Sequence, residues 1–315
     1  MRRFTETPLT AQLSLMGRTI VLETNDTAVI ELAKAFFKRH RGTASGSREF
    51  LWRILTEPDP RVQSTDVPLS AFSSPGIRYV SLGQRAFLAV DLESREAIGF
   101  ASSLFFQEAD QSRNSRLFDI LFCMTAPSLG LTAMSGGCVA LENRGVMIFG
   151  PPNSGKTTAC YLAAKSGLEF QADQGIFLDT RGGSLMSWGD LFPAVFRPES
   201  LKYLPELTEI TRRSSHVGLE FYYLDKGPMQ KLPAHSVAPE GCVFLDRSGR
   251  ASRPERMTRE QAFSRLQEYV LFPEDRMFDE QVEHTLTLLA EKPAYSLEYG
   301  SDLEAVSVFI AKILR

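Results

Sequence analysis

The tightest constraint on this chain is one segment, Gly150-Pro-Pro-Asn-Ser-Gly155-Lys156-Thr157-Thr158. It reads G-x-x-x-x-G-K-T, follows the apolar run Val146-Met-Ile-Phe149 and precedes an amphipathic stretch ending at Lys165. A strand, a glycine-bounded turn and a helix in that order make a phosphate-binding loop. Gly150 and Gly155 allow backbone angles that turn successive N–H groups inward, and the helix aims its positive end at the same place. On this reading Gly150, Pro151, Pro152, Asn153, Ser154, Gly155, Lys156, Thr157 and Thr158 hold a nucleotide. Lys156 reaches the β- and γ-phosphates, and the Thr157 hydroxyl joins a Mg²⁺ shell. The plainer alternative is a glycine-rich turn without a ligand.

Composition leaves room for such a site and argues against others. With 315 residues, 43% of them apolar, the chain can bury one large core or two modest ones. Its 35 basic and 38 acidic residues give a net charge of −3, which is no footprint for nucleic acid. No apolar run approaches the length of a membrane span, and the first residues lack the apolar core of a signal peptide. Cys123, Cys138, Cys160 and Cys242 are scattered, without a C-x-x-C pair, and read as core thiols rather than a disulfide frame or zinc site. The expectation is a cytoplasmic protein that binds neither nucleic acid nor membrane, with a homo-oligomer left open.

The periodicities predict an α/β chain in two parts. Residues 1–115 read as a small mixed α+β domain: a strand over Leu13–Leu22, a helix from Asn25 to Lys38, and strands at Phe50–Leu55, Arg78–Leu82, Ala86–Leu92 and Ala97–Ser102. A helix from Ser115 to Ala126 leads into residues 126–315, where strands and helices alternate around the loop. Helices are predicted at Thr258–Val270, Asp279–Leu289 and Leu303–Leu314, the first opened by a Thr258–Gln261 capping box. Ala294–Tyr299 reads as an edge strand.

One helix beyond the loop, a short strand ends at an acid: Gly167-Leu-Glu-Phe-Gln-Ala-Asp173-Gln174-Gly175. Asp173 is placed to orient Mg²⁺ or to take the proton from an attacking hydroxyl; a polar strand-end turn is the plainer alternative. Ile176-Phe-Leu-Asp179 and Val243-Phe-Leu-Asp246 repeat the apolar-run-then-acid pattern, which plain buried strands also show. Arg197 is a candidate to face a phosphate, against the plainer reading of a surface or salt-bridged arginine; Arg212, Arg213 and Lys226 are candidates for a substrate contact, against a solvated face; and Trp188 and Phe192 are expected to pack in the core.

The run from Met134 to Phe177 resembles the C-terminal domain family of HPr kinase/phosphorylase. The matching pieces are Met134-Ser-Gly-Gly-Cys-Val-Ala-Leu141, Arg144–Gly150, the loop, and Ala172-Asp173-Gln174; further on they are Ser187–Pro198, Cys242–Arg247 and Pro293–Val306. The resemblance implies a sheet of the kind shared with phosphoenolpyruvate carboxykinase, ATP and Mg²⁺ as cofactors, Lys156 and Asp173 as catalytic residues, and Thr157 and Asp173 at the metal. It also implies a serine or threonine hydroxyl on a protein or peptide as acceptor. Two positions depart from the family pattern: Ser135 stands where histidine is common, and Gln174 replaces the second of two aspartates. The first implies forward transfer without phosphorolysis; the second implies a weaker hold on Mg²⁺. The segment Glu-x-Arg-Gly-x-Gly is absent, which disfavours HPr itself as acceptor. The alternatives are a small-metabolite kinase and a nucleotide-binding regulator or scaffold without transfer activity.

Overall fold

The computed structural model describes residues 6–37, 46–57, 69–74, 76–82, 86–102, 111–189, 194–216, 219–224, 236–247, 253–273, 276–300 and 302–315. They fall into two units, residues 1–129 with 274–278, and residues 130–273 with 279–315.

The first unit is built on a mixed sheet of seven strands in the order β1-β2-β3-β7-β6-β5-β4. These are β1 (Leu9–Leu15), β2 (Arg18–Thr24), β3 (Phe50–Glu57), β4 (Leu69–Ser74), β5 (Ile77–Leu82), β6 (Ala86–Asp91) and β7 (Glu96–Ser102). The single strand expected over Leu13–Leu22 is two. Met16 and Gly17 take positive φ (49° and 71°), so the chain reverses in a two-residue turn that pairs Leu15 with Arg18. Helix α1 (Thr27–Phe37) starts where the Asp26 carboxylate accepts the Ala28 N–H at 2.9 Å. Phe37 packs with Trp52 of β3 and with Phe118 of α2 (Gln111–Thr125), ring centroids 5.7 and 5.9 Å apart. Arg78 of β5 is buried and donates to the Met124 carbonyl of α2 at 2.8 Å, which offsets part of the cost of enclosing a guanidinium.

The second unit is a mixed α/β layer structure. Its main sheet runs β11-β9-β10-β17-β19-β18, from β9 (Gly137–Leu141), β10 (Arg144–Phe149), β11 (Glu169–Ala172), β17 (Ala238–Arg247), β18 (Arg253–Arg256) and β19 (Ala294–Tyr299). The three central strands β10, β17 and β19 are parallel, and β9 and β18 run against them. Val146–Phe149 and Cys242–Leu245 are fully buried, as unbroken apolar runs are in parallel strands covered on both faces. Helices α3 (Lys156–Lys165) and α6 (Leu303–Leu314) cover one face through Ala159, Ala163, Val306 and Ile310. Helices α4 (Arg259–Gln267) and α5 (Asp279–Ala290) cover the other through Ala262, Leu266, Leu286 and Leu289. A small sheet β13-β12-β8 lies on that side too, made of β8 (Leu131–Ser135), β12 (Gly175–Asp179) and β13 (Met186–Gly189), and a further sheet β14-β16-β15 is made of β14 (Val195–Phe196), β15 (Thr211–His216) and β16 (Leu219–Leu224). Helix α4 carries the expected capping box: Thr258 Oγ1 accepts the Gln261 N–H and Gln261 Oε1 accepts the Thr258 N–H. Strand β19 is not an edge strand. It lies between β17 and β18, because Cys242–Arg247 pair with Ala294–Tyr299 on one side and Arg253–Arg256 on the other.

Among the described residues no helix is long and apolar enough to cross a membrane.

Candidate phosphate loop

Strand β10 ends at Phe149, and the chain turns at the buried Gly150. A Cβ at Gly150 would lie 2.8 Å from the Leu245 carbonyl of the neighbouring β17, so the close approach of the two strand ends admits only glycine. The loop then folds on itself, with Ser154 N–H donating to the Pro151 carbonyl at 3.1 Å and Asn153 at φ 67°. Pro151, Pro152 and Asn153 are exposed. Gly155 is left-handed (φ 82°) and caps α3, and a Cβ there would run into the Tyr299 hydroxyl.

Among the described residues this geometry leaves a set of hydrogen-bond donors without partners. No side chain caps α3. Among the described residues the amides of Gly155, Lys156, Thr157 and Thr158 take no acceptor, and the first intrahelical bond is Ala159 N–H to the Gly155 carbonyl at 2.8 Å. Ser154 is 2% exposed and its buried Oγ has no partner among the described residues, an arrangement that costs roughly 1–3 kcal/mol unless something else satisfies it. The Lys156 ammonium folds over the turn and donates to the Gly150 carbonyl at 2.7 Å and the Pro151 carbonyl at 3.1 Å. Desolvation lowers its pKa, against the opposing pull of Cys160 and Asp173. Clustered amides, a buried hydroxyl and a partly desolvated ammonium form a donor set that fits a polyphosphate. The half-buried Thr157 at the first turn could add a hydroxyl to a cation held by that polyphosphate.

Asp173 follows β11 and is 2% exposed. The antiparallel pairing of β11 with β9 brings it beneath the loop: a Cβ on Gly137 would touch the Asp173 Cα at 3.4 Å and the Cys160 sulfur of α3 at 2.7 Å. The fold thus brings together Asp173 and Lys156, which are 17 residues apart in sequence. Ser135 and Gln174 join them at the same strand ends. Ser135 pairs with Gly175, and Gly136 N–H donates to the Gln174 carbonyl at 3.2 Å. The Gln174 side chain is exposed, while Ser135 is half-buried.

The two apolar-run-then-acid segments end in different places. Strand β12 begins beside Asp173 and runs away from it, so Asp179 stands about 13 Å further along. There its carboxylate accepts the Arg181 N–H at 3.0 Å as an ordinary turn. Strand β17 instead runs parallel to β10 with Phe244 opposite Phe149, so Asp246 is exposed beside the loop. Arg197 is exposed at the start of the helical turn Pro198–Leu201, and Arg213 is exposed on the strand Thr211–His216. Trp188 is half-buried on β13, opposite Phe177. Phe192 and Lys226 lie outside the described residues, as does the side chain of Arg212.

Sequence reasoning missed Tyr299. It is 1% exposed at the end of β19, and its hydroxyl donates to the Ser154 carbonyl, tying the loop to a strand 145 residues away. A tyrosine closing an apolar strand carries no local signal of that role.

No protein-family model matches the chain, and no curated protein does. Among solved structures it is similar to the Hpr(Ser) kinase/phosphatase from Coxiella burnetii, at 10% identity and a TM-score of 0.28, over 57% of this chain and 93% of that one. A likeness of that extent fixes neither the type of sheet nor the activity.

Proposed function

We propose that the 150–158 loop holds the phosphates of ATP with Mg²⁺, and that the second unit is a phosphotransferase acting on a serine or threonine hydroxyl of a protein or peptide. The sheet would be of the HPr kinase and phosphoenolpyruvate carboxykinase kind. The observation that carries the reading is the convergence of unpartnered donors on the loop, with the buried Asp173 within electrostatic reach of Lys156. The amides of Gly155–Thr158 and the Ser154 hydroxyl would hold the β-phosphate. Lys156 would leave its two carbonyl acceptors for the γ-phosphate, where its positive charge stabilises the negative charge that develops on the transferring group. Mg²⁺, held with the help of the Thr157 hydroxyl, would supply charge neutralisation for the phosphates. The acceptor oxygen forms a bond to the γ-phosphorus as the bond to the β,γ-bridging oxygen breaks. Its proton passes to Asp173, and ADP carries away the electron pair.

A nucleotide-binding regulator without transfer activity is the second reading, favoured by the exposed Gln174 and by Ser135 beside Asp173. Two variants separate the readings. Lys156→Ala should abolish most of the thermal shift that ATP produces while the ligand-free melting point holds. Asp173→Asn should keep the shift and lose phosphorylation of cellular proteins or peptides by labelled ATP. An ATP shift unaltered by Lys156→Ala rules out the site. ATP binding by the unmodified chain without labelling of any acceptor selects the regulator.

A further inference from the structure

We propose that Asp246 is the metal-facing acid of the phosphate loop, placed to hold a nucleotide-bound divalent cation through its carboxylate. The inference rests on the phosphate-loop reading and adds to it a residue on a different strand. Strand register carries it. Strand β17 is the parallel neighbour of β10 with Phe244 level with Phe149, so Leu245 is level with Gly150 and Asp246 is the first residue beyond. The Leu245 carbonyl would lie 2.8 Å from a Cβ on Gly150, which puts Asp246 within about one residue rise (~3.3 Å) of the loop's first turn. Side chains alternate along β17. Phe244 and therefore Asp246 face the α4 side, and Leu245 and therefore Arg247 face the α3 side.

The strand ends where ligands of parallel sheets bind, outside the carboxyl edge. The loop beside it has a deficit that a ligand would fill, namely the buried, unpartnered Ser154 hydroxyl. Tyr299 links the two places. Its hydroxyl, pushed up by burial, is pulled down by Arg247 and raised by Asp246, so both charges lie within electrostatic reach of the group that holds Ser154. Mg²⁺ bound with a nucleotide needs only one or two protein carboxylates. Asp173 is buried and taken up as the proton acceptor, Gln174 is neutral, and Asp179 ends a strand running the other way, so Asp246 is the exposed acid at the loop that faces the cation.

The test uses the full chain and Mn²⁺ as probe, read by the fraction of free Mn²⁺ in its paramagnetic resonance spectrum. ADP affinity is first measured in EDTA, and Mn²⁺ is then titrated into the ADP-saturated protein. Asp246→Asn should weaken Mn²⁺ about tenfold or more, with ADP affinity in EDTA unchanged or a few-fold tighter because a negative charge has gone. Asp179→Asn should change neither. Asp246→Cys should shift the preference from Mn²⁺ toward Cd²⁺, a gain that a merely disturbed fold cannot produce. Parental Mn²⁺ affinity in Asp246→Asn, or parental metal preference in Asp246→Cys, overturns the assignment while leaving the loop reading intact. Failure of the unmodified protein to bind ADP in EDTA overturns the loop reading itself, and the assignment with it.

Discussion

The Tyr299 hydroxyl donates to the Ser154 carbonyl, and its ring occupies the space where any side chain at Gly155 would project. The loop is therefore clamped from outside its own sequence. Inside the loop, among the described residues, the Ser154-to-Pro151 turn bond and the Lys156 contacts hold it closed.

That clamp makes Tyr299→Phe informative. The ring still fills its site, but the Ser154 carbonyl loses a donor in a place water reaches poorly, at a cost of about 1–3 kcal/mol. Nucleotide affinity should fall roughly three- to tenfold, since part of the binding energy must then order the loop. A small drop in melting temperature should accompany it. Fluorescence titration with a labelled nucleotide measures the affinity; equal affinities in the two proteins would mean the loop holds its shape without the tyrosine.

Ser135 bears on the direction of transfer. It pairs with Gly175 at the mouth of the Asp173 turn, where an imidazole could relay a proton but a serine hydroxyl, with its far higher pKa, cannot. Phosphorylated product incubated with inorganic phosphate at neutral pH should stay phosphorylated. Release of pyrophosphate at a rate near that of the forward reaction would assign the relay to another group.

What could be read in advance was local. Thr258 and Gln261 are three residues apart and cap their helix as their spacing says. The Gly150–Thr158 turn follows from two glycines and the strand and helix that flank them. Long-range pairing is a different matter. Asp179 and Asp246 end near-identical apolar runs, yet one strand leaves the loop and the other arrives at it. That difference lives in the backbone pairing of β12 with β8 and of β17 with β10, which no window around either aspartate encodes. The interior place of β19, and Tyr299 with it, was hidden for the same reason: β18 covers its outer side through antiparallel strand pairing. At Met16 the strand pattern continued through the sequence while the backbone reversed, because a methionine accepted a left-handed angle beside Gly17.

The cap of α4 gives a stability prediction independent of any ligand. Thr258→Ala removes the acceptor for Gln261 N–H, and removing such a cap costs about 1 kcal/mol. Urea unfolding should show a lower midpoint with an unchanged slope. Nucleotide affinity should stay within twofold, because the cap serves the α4 layer rather than the loop.

Two buried thiols make stability fall as the pH rises into the alkaline range. Cys138 and Cys242 are fully buried on strands that flank β10. Burial pushes both thiols far above their ordinary range, with the neighbouring Cys242 adding to the rise at Cys138. In the unfolded chain each ionises near pH 8.5, while in the folded protein each keeps its proton. Their contribution to stability is thus complete below about pH 8 and is lost progressively above it, by ~2 kcal/mol per thiol at pH 10. Cys138→Ala should be less stable than the parent at pH 7.5, having lost a buried sulfur, yet should lose ~2 kcal/mol less on going to pH 10. Urea unfolding under reducing conditions at the two pH values measures that difference of differences. An alkylating reagent at pH 8 should leave Cys138, Cys160 and Cys242 unmodified in the native protein. If the parent and Cys138→Ala lose equal stability between the two pH values, the Cys138 thiol ionises in the folded state and the space around it is wetter than the packing of Met147 and Val237 implies.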